Sequence, residues 1–183
     1  MKATIFFVVL QLINTSLGNT IHPDSIVIHH SALTRQDVLQ HPGPVTAQTI
    51  DALHEKRGFN AFYWGKSYHI GYHYLILPNG LIQGGRPERC IGSHTRGHNR
   101  AIGICLVGNF SNREDPQEEP GNLQPSEAQM RALESLIRDV AGRYNISCDK
   151  IYRHDDLNPK TQCPGDRFPW KNLRTRIGCG EQK

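Results

Sequence analysis

After its first eighteen residues the chain has no long apolar run. A membrane-crossing helix needs about 20 consecutive apolar residues, so no later segment is expected to span a bilayer. There is no Cys-x-x-Cys pair, which excludes the common zinc-finger and redox spacings. There is no His-Glu-x-x-His, which excludes a zincin helix. Charge bias is small: 21 Lys and Arg against 17 Asp and Glu leave +4, one unit of it from Lys2. That is too little for a nucleic-acid footprint, no Arg/Lys stripe is interleaved with aromatics, and no nucleic-acid partner is expected. Internal repeats are also missing. What remains is 183 residues, enough for one domain with a real core.

The first eighteen residues read as a signal peptide. Lys2 is a short basic region, Ala3 to Ile13 is apolar apart from Gln11, and Ser16-Leu17-Gly18 offers small residues at a cleavage site. The alternative is an uncleaved anchor. Cleavage would leave a domain over 19–183, secreted or periplasmic, with no stable membrane insertion. The five cysteines, Cys90, Cys105, Cys148, Cys163 and Cys179, are odd in number, so an exported chain leaves at least one unpaired. Cys105 lies in the apolar run Ala101–Val107 and reads as a buried free thiol. Cys148 and Cys179 flank the last segment and are candidates for a disulfide.

Ser25 to His30 is a β-branched apolar run, hence a strand. Thr46 can cap a helix from Ala47 to about Arg57, stopped by Gly58. Phe59 to Tyr68 is aromatic, glycine-bearing and aperiodic, which reads as a loop. Tyr72–Leu77 and Leu81–Gln83 flank Pro78-Asn79-Gly80 as a hairpin. Arg86–Arg100 is a long Gly/His/Arg loop, and Ile102–Val107 is the most apolar strand and should be central. Asn112–Gln124 is an acidic surface loop. Ser126 and Gln129 form a capping box, and Met130, Leu133, Ile137, Val140 and Tyr144 follow at helical steps. Asp149–His154 reads as a short strand and Trp170–Arg176 as a final helix. Strands and helices mix without strict βαβ order. The expected fold is α/β (α+β): one domain with a central mixed sheet flanked by helices.

Three segments carry chemistry: Ile28-His29-His30-Ser31-Ala32, Gly71-Tyr72-His73-Tyr74, and His154 through Cys163-Pro164-Gly165. Two imidazoles and a thiolate form a ligand set that leaves one position of a tetrahedral zinc open, the mark of a catalytic rather than a structural ion. Strand side chains alternate, so only one of His29 and His30 can join a given site. Asn158-Pro159 and Pro164-Gly165 mark the third segment as a loop that could curl Cys163 back towards His154. Two plainer readings stand beside this: solvated imidazoles at a strand end, and Cys163 as half of a disulfide with Cys148 or Cys179.

The chain resembles the zinc-dependent N-acetylmuramoyl-L-alanine amidases, which share a fold with animal peptidoglycan recognition proteins and phage amidase lysozymes. The likeness runs from about Ser25 to Arg167. It rests on Ile26–Ala32, on Gly71–Tyr74 with Asn79-Gly80 and Gly85–Glu88, on Gly92–Asn99, on Ile102–Phe110, and on Arg153-His154 through Pro164-Gly165. The resemblance implies one Zn2+ held by His29, His154 and Cys163, and a catalytic Tyr72. Thr161 falls on the position two before the cysteine ligand, with Lys160 beside it as the other candidate facing the reacting carbonyl. Either would be the donor to the reacting oxygen. His94 and Thr95, in the loop bordering the family's substrate groove, are expected substrate contacts, and Trp64, with Tyr63 and Tyr68, is either a sugar-facing wall or ordinary packing of a long loop. His98 and Asn99 would shape the His94 loop, His73 would face away from Tyr72, and Arg86 and Glu88 would form a surface or loop-anchoring pair. Members that only recognise peptidoglycan typically lack the cysteine ligand, which this chain keeps. An enzyme acting on peptidoglycan is implied, with non-catalytic recognition as the alternative and a monomer expected. The cysteines that brace the early loop of the animal proteins are missing after His30, which points to the bacterial or phage type. Asn109-Phe110-Ser111 and Asn145-Ile146-Ser147 are glycosylation sequons, relevant only in a eukaryotic secretory pathway.

Overall fold

The computed structural model describes residues 20–33, 43–111 and 124–180. The expected signal peptide over 1–18 and nearly all of the expected loop Asn112–Gln124 lie outside the described residues. Along the chain the elements are β1 (Ile26–His30), α1 (Ala47–Lys56), β2 (Ala61–Tyr63), β3 (Lys66–Tyr68), β4 (Tyr74–Ile76), β5 (Ile82–Gly84), β6 (Ile102–Leu106) and α2 (Glu127–Tyr144). A 3-10 turn over Cys148–Lys150, then β7 (Ile151–Arg153), α3 (His154–Leu157) and α4 (Trp170–Arg176) complete them. No helix among the described residues is long and apolar enough to cross a membrane.

Five strands form one sheet in the order β5-β4-β6-β1-β7. β1 runs parallel to β6 and to β7, β4 runs parallel to β6, and only β5 is antiparallel to its neighbour. The sheet is therefore mixed, as expected, and β6 is central. Strand alternation sorts the side chains to two faces. Ile26, Ile28, Ile102, Ile104 and Leu106 pack against Leu133, Ile137 and Val140 of α2 and Leu173 of α4. Leu75, Cys105 and Val107 pack on the opposite face against Ile50 and Leu53 of α1. Both helices start as anticipated. The Thr46 hydroxyl accepts from the Thr49 N–H at 3.2 Å. Ser126 and Gln129 cap each other, and the Gln129 amide also donates to the carbonyls of Ile76 and Val107, tying the first turn of α2 to the sheet. Cys148 and Cys179 are bonded, with Cα atoms 5.3 Å apart, and Cys90, Cys105 and Cys163 are buried outside that disulfide.

Several boundaries differ from expectation. The segment Phe59–Tyr68 contains a two-stranded hairpin, β2 with β3. Its turn is Trp64-Gly65, with φ of 50° and 78°. Two consecutive left-handed residues make the tight turn whose twist suits a hairpin. Trp at the first of these positions hid the signal, because Asn or Asp is usual there. Phe62 is 65% exposed and Trp64 66%, so no burial pattern marked the strands either. The strand expected from Tyr72 begins only at Tyr74, and Leu81–Gln83 shifts to Ile82–Gly84. The strand expected over Asp149–His154 shrinks to Ile151–Arg153, because His154 already opens α3. Arg86 and Glu88 do not form a pair with each other. Arg86 is buried and donates to the carbonyls of Ile70 and Ile91, while Glu88 binds Tyr74, Tyr144 and Arg143. Asn109, in the first sequon, is buried, whereas Asn145 is the exposed C-cap of α2.

Candidate metal centre

His29 and His30 occupy the C-terminal end of β1 and face opposite ways. The Nδ1 of His30 accepts the Phe110 N–H at 3.0 Å on the α2 side. His29 turns to the α1 side, among Tyr72, His94 and His154. The parallel pairing of β1 with β7 sets Ile28 opposite Arg153. The next residue is His29 on β1 and, after β7, His154, which opens α3, and their rings lie 4.5 Å apart. The loop after α3 then returns. The Asp155 N–H donates to the Cys163 carbonyl at 2.8 Å, and the Cys163 N–H donates to the Thr161 hydroxyl at 3.2 Å. This places the Cys163 sulfur 3.6 Å from His29 Nδ1, where the His30 N–H also points at it from 3.3 Å.

One ligand atom from each of His29, His154 and Cys163 lies within 4.8 Å of the others. Two nitrogens and a sulfur on a tetrahedral zinc would sit about 3.3–3.7 Å apart at ordinary bond lengths. The donor types and the 3.6 Å nitrogen–sulfur separation fit such an ion. Both imidazoles are also held in the neutral state that a ligand requires. Burial, then the neighbouring His94, His154 and His30, hold His29 well below the usual histidine range. Burial and then His30 lower His154.

Tyr72 lies beside this group, its ring 5.2 Å from that of His29. Its phenol is hydrogen-bonded to the Cys105 thiol, and burial, followed by that thiol and Cys163, keeps it protonated well above the ordinary range. Thr161 is half-buried in the ligand loop and Lys160 is exposed. Thr95 is buried, with its hydroxyl 3.4 Å from His29 Nε2, and His94 Nδ1 is 3.0 Å from the same atom. Asn99 shapes their loop as anticipated, its side-chain oxygen accepting from the N–H groups of His94 and Thr95. His73 is buried behind Tyr72, between the Gly103 N–H and the Cys90 carbonyl. Trp64 stands at the exposed tip of the β2–β3 hairpin.

Sequence reasoning missed two residues that set the approach to Tyr72. Asp51 and His54 sit three apart on α1. Asp51 accepts from the N–H groups of His69 and Ile70, and His54 Nδ1 accepts from the Gly71 N–H at 2.9 Å. Burial, then Arg57 and Arg86, pull His54 down to about 4, so it stays an acceptor at neutral pH. The available signal was a histidine next to Leu53 on the apolar face of an otherwise ordinary amphipathic helix.

The comparisons with known proteins agree with this geometry. A solved N-acetylmuramoyl-L-alanine amidase, LysC from Clostridium intestinale URNW, superposes with a TM-score of 0.68 at 33% identity, over 90% of this chain and 91% of that one. The Enterobacteria phage T3 endolysin is 38% identical over 96 residues, 52% of this chain and 58% of the endolysin, so the match spans little more than half of that relative. The peptidoglycan-recognition protein SC2 of Drosophila melanogaster is 30% identical over 167 residues, 88% of this chain and 77% of that protein. The model of the N-acetylmuramoyl-L-alanine amidase family matches residues 19–166, a span that includes β1, the Tyr72 segment and the whole ligand loop. With a family match over most of its length and a superposable amidase structure, the chain belongs to the N-acetylmuramoyl-L-alanine amidase family, in its bacterial or phage-type branch.

Proposed function

We propose that the protein is a zinc-dependent hydrolase that cleaves the amide between the lactyl group of N-acetylmuramic acid and L-alanine in peptidoglycan. The observation that carries this is the convergence of His29, His154 and Cys163, three candidate protein ligands with no fourth grouped with them among the described residues. His29, His154 and Cys163 would hold the ion, which when bound would supply Lewis acidity and a water made more acidic. The other roles belong to the chain's own side chains. The Thr161 oxygen accepts the Cys163 N–H, so its own O–H is left to donate to a developing oxyanion. Lys160 is the neighbouring alternative, a flexible cation on the exposed side of the loop. Tyr72 stays a phenol rather than a phenolate, so it acts as a donor and not as a base. Trp64 offers an exposed indole face to a sugar ring.

The names of the relatives support a wall substrate: an amidase, an endolysin and a peptidoglycan-recognition protein. Residues 1–18 act, in this reading, as a signal peptide that delivers a monomer to the wall. The test is to incubate purified mature protein with peptidoglycan, with and without a chelator and with zinc restored, and to identify the released ends by mass spectrometry. Stem peptides with a free L-alanine amine, released only with zinc, are expected. Tight binding without cleavage, by protein that holds zinc, would mean recognition rather than hydrolysis.

A further inference from the structure

Around His29 lies a chain of hydrogen bonds that ends at a backbone carbonyl. The His94 Nε2 is 3.1 Å from the Ala101 carbonyl oxygen. A carbonyl only accepts, so Nε2 of His94 carries the proton and its Nδ1 is a bare lone pair in the neutral ring. That Nδ1 is 3.0 Å from His29 Nε2. Two bare nitrogens facing each other at this distance would repel, so the proton of His29 sits on Nε2. The Thr95 hydroxyl lies 3.1 Å from His94 Nδ1 and 3.4 Å from His29 Nε2. It can donate to the first while accepting from the second, which again leaves the His29 proton on Nε2. The free lone pair of His29 is then on Nδ1, the atom facing the Cys163 sulfur.

The His94 ring is also held in place by what its neighbours lack. A Cβ built on Gly92 would fall 2.5 Å from the His94 Cδ2, and one built on Gly103 would fall 2.6 Å from the same carbon. Side chains there would displace the ring. Gly103 is the second residue of β6, and Gly92 is tied by its N–H to the Asn99 carbonyl. The ring thus sits in a slot between a central strand and a braced loop, nearly perpendicular to the His29 ring at 81°.

We propose that His94 is a positioning residue that locks His29 in the Nε2–H tautomer, presenting Nδ1 to the metal, with Ala101, Thr95, Gly92 and Gly103 as the parts that hold the lock. The proposal rests on the zinc reading of the site. It assigns both His94 nitrogens to internal partners, in place of the substrate contact expected from the sequence. Partners of this kind orient imidazole ligands and raise their basicity, and their loss typically costs roughly 10–100-fold in metal affinity.

The experiment measures zinc affinity by chelator competition for the wild type and for His29→Ala, His94→Phe and His94→Asn. Phe keeps a ring in the slot and removes the acceptor, while Asn restores an oxygen near the Nδ1 position. The expectation is loss of binding for His29→Ala, a drop of roughly 10–100-fold for His94→Phe, and recovery of most of it for His94→Asn. Wild-type affinity in His94→Phe, with His29→Ala inactive in binding, would overturn the lock and leave the zinc reading intact. No zinc binding by the wild type would instead overturn the zinc reading. Nitrogen-15 NMR of the metal-free wild type reads the tautomer directly and needs no substitution, so it decides the matter even if His94→Phe does not fold. Proton on Nε2 of both His29 and His94 is expected, and proton on Nδ1 of His29 refutes the lock.

Discussion

Removing the Glu88 carboxylate charge should destabilise the protein in a pH-dependent way. Glu88 lies in the loop after β5 and accepts hydrogen bonds from the hydroxyls of Tyr74 on β4 and Tyr144 on α2 and from both terminal nitrogens of Arg143. Burial alone would raise its pKa. The hydrogen bonds from Arg143, Tyr74 and Tyr144 outweigh burial and hold it at about 2. An unfolded glutamate titrates near 4.3, and one pH unit corresponds to about 1.4 kcal/mol, so the full difference is roughly 3 kcal/mol. The Arg143 side chain is 41% exposed and the Glu88 side chain 17%, so solvent screens part of this. A discounted value of about 1–2 kcal/mol is the expected cost of Glu88→Gln at neutral pH. The folded-state pKa lies below the unfolded one, so this stabilisation is complete above about pH 5 and drains away as pH falls towards 2. More than half should be gone by about pH 3. Urea unfolding of wild type and Glu88→Gln at a series of pH values measures the gap. A gap that stays constant from neutral to about pH 3, or none at neutral pH, would refute the assignment of the charge to this cluster.

Other expectations follow from the same structure. Replacing His29, His154 or Cys163 by Ala should abolish both zinc binding and release of stem peptides, whereas Tyr72→Phe should keep zinc and lower turnover by about 10²-fold or more; undiminished turnover in Tyr72→Phe would remove the phenol from the mechanism. Gly165 has φ of +105°, and a Cβ there would lie 2.2 Å from the Phe110 carbonyl oxygen. Gly165→Ala should therefore cost about 3 kcal/mol or more on chemical unfolding, and a fully stable variant would contradict this packing. The Cys148–Cys179 bond closes a separation of 31 residues, so Cys148→Ala with Cys179→Ala should lose about 3–4 kcal/mol in the chain-entropy account, read as a lower urea midpoint.

The fold was legible where side-chain pattern and local chemistry agree. β1 and β6 are continuous apolar runs buried on both faces, and α2 announces itself through Ser126, Gln129 and its helical stripe. The β2–β3 hairpin was not legible, because its strands are mostly exposed and its turn carries Trp. The metal ligands were candidates from residue type, but choosing His29 over His30 required the family resemblance. The sheet shows why the choice is physical: one face of β1 meets α2 and the other meets the site. The roles of Asp51, His54 and His94 depend on atoms far apart in sequence, such as Gly71 and Ala101, and no local spacing encodes such pairings.

The place of β1 in the sheet bears on how the protein is assembled. Ile26 pairs with Ile102 on one side and with Ile151 on the other. β1 therefore lacks both of its sheet neighbours until β6 and β7, far later in the chain, have been made. Such distant pairings fold slowly and leave an apolar strand open to wrong partners in the meantime. Cys163 comes later still in the chain, beyond β7 and α3. A chain that has yet to reach β7 thus holds only one of the three side chains, His29, and the candidate centre can assemble only once the loop to Cys163 is made.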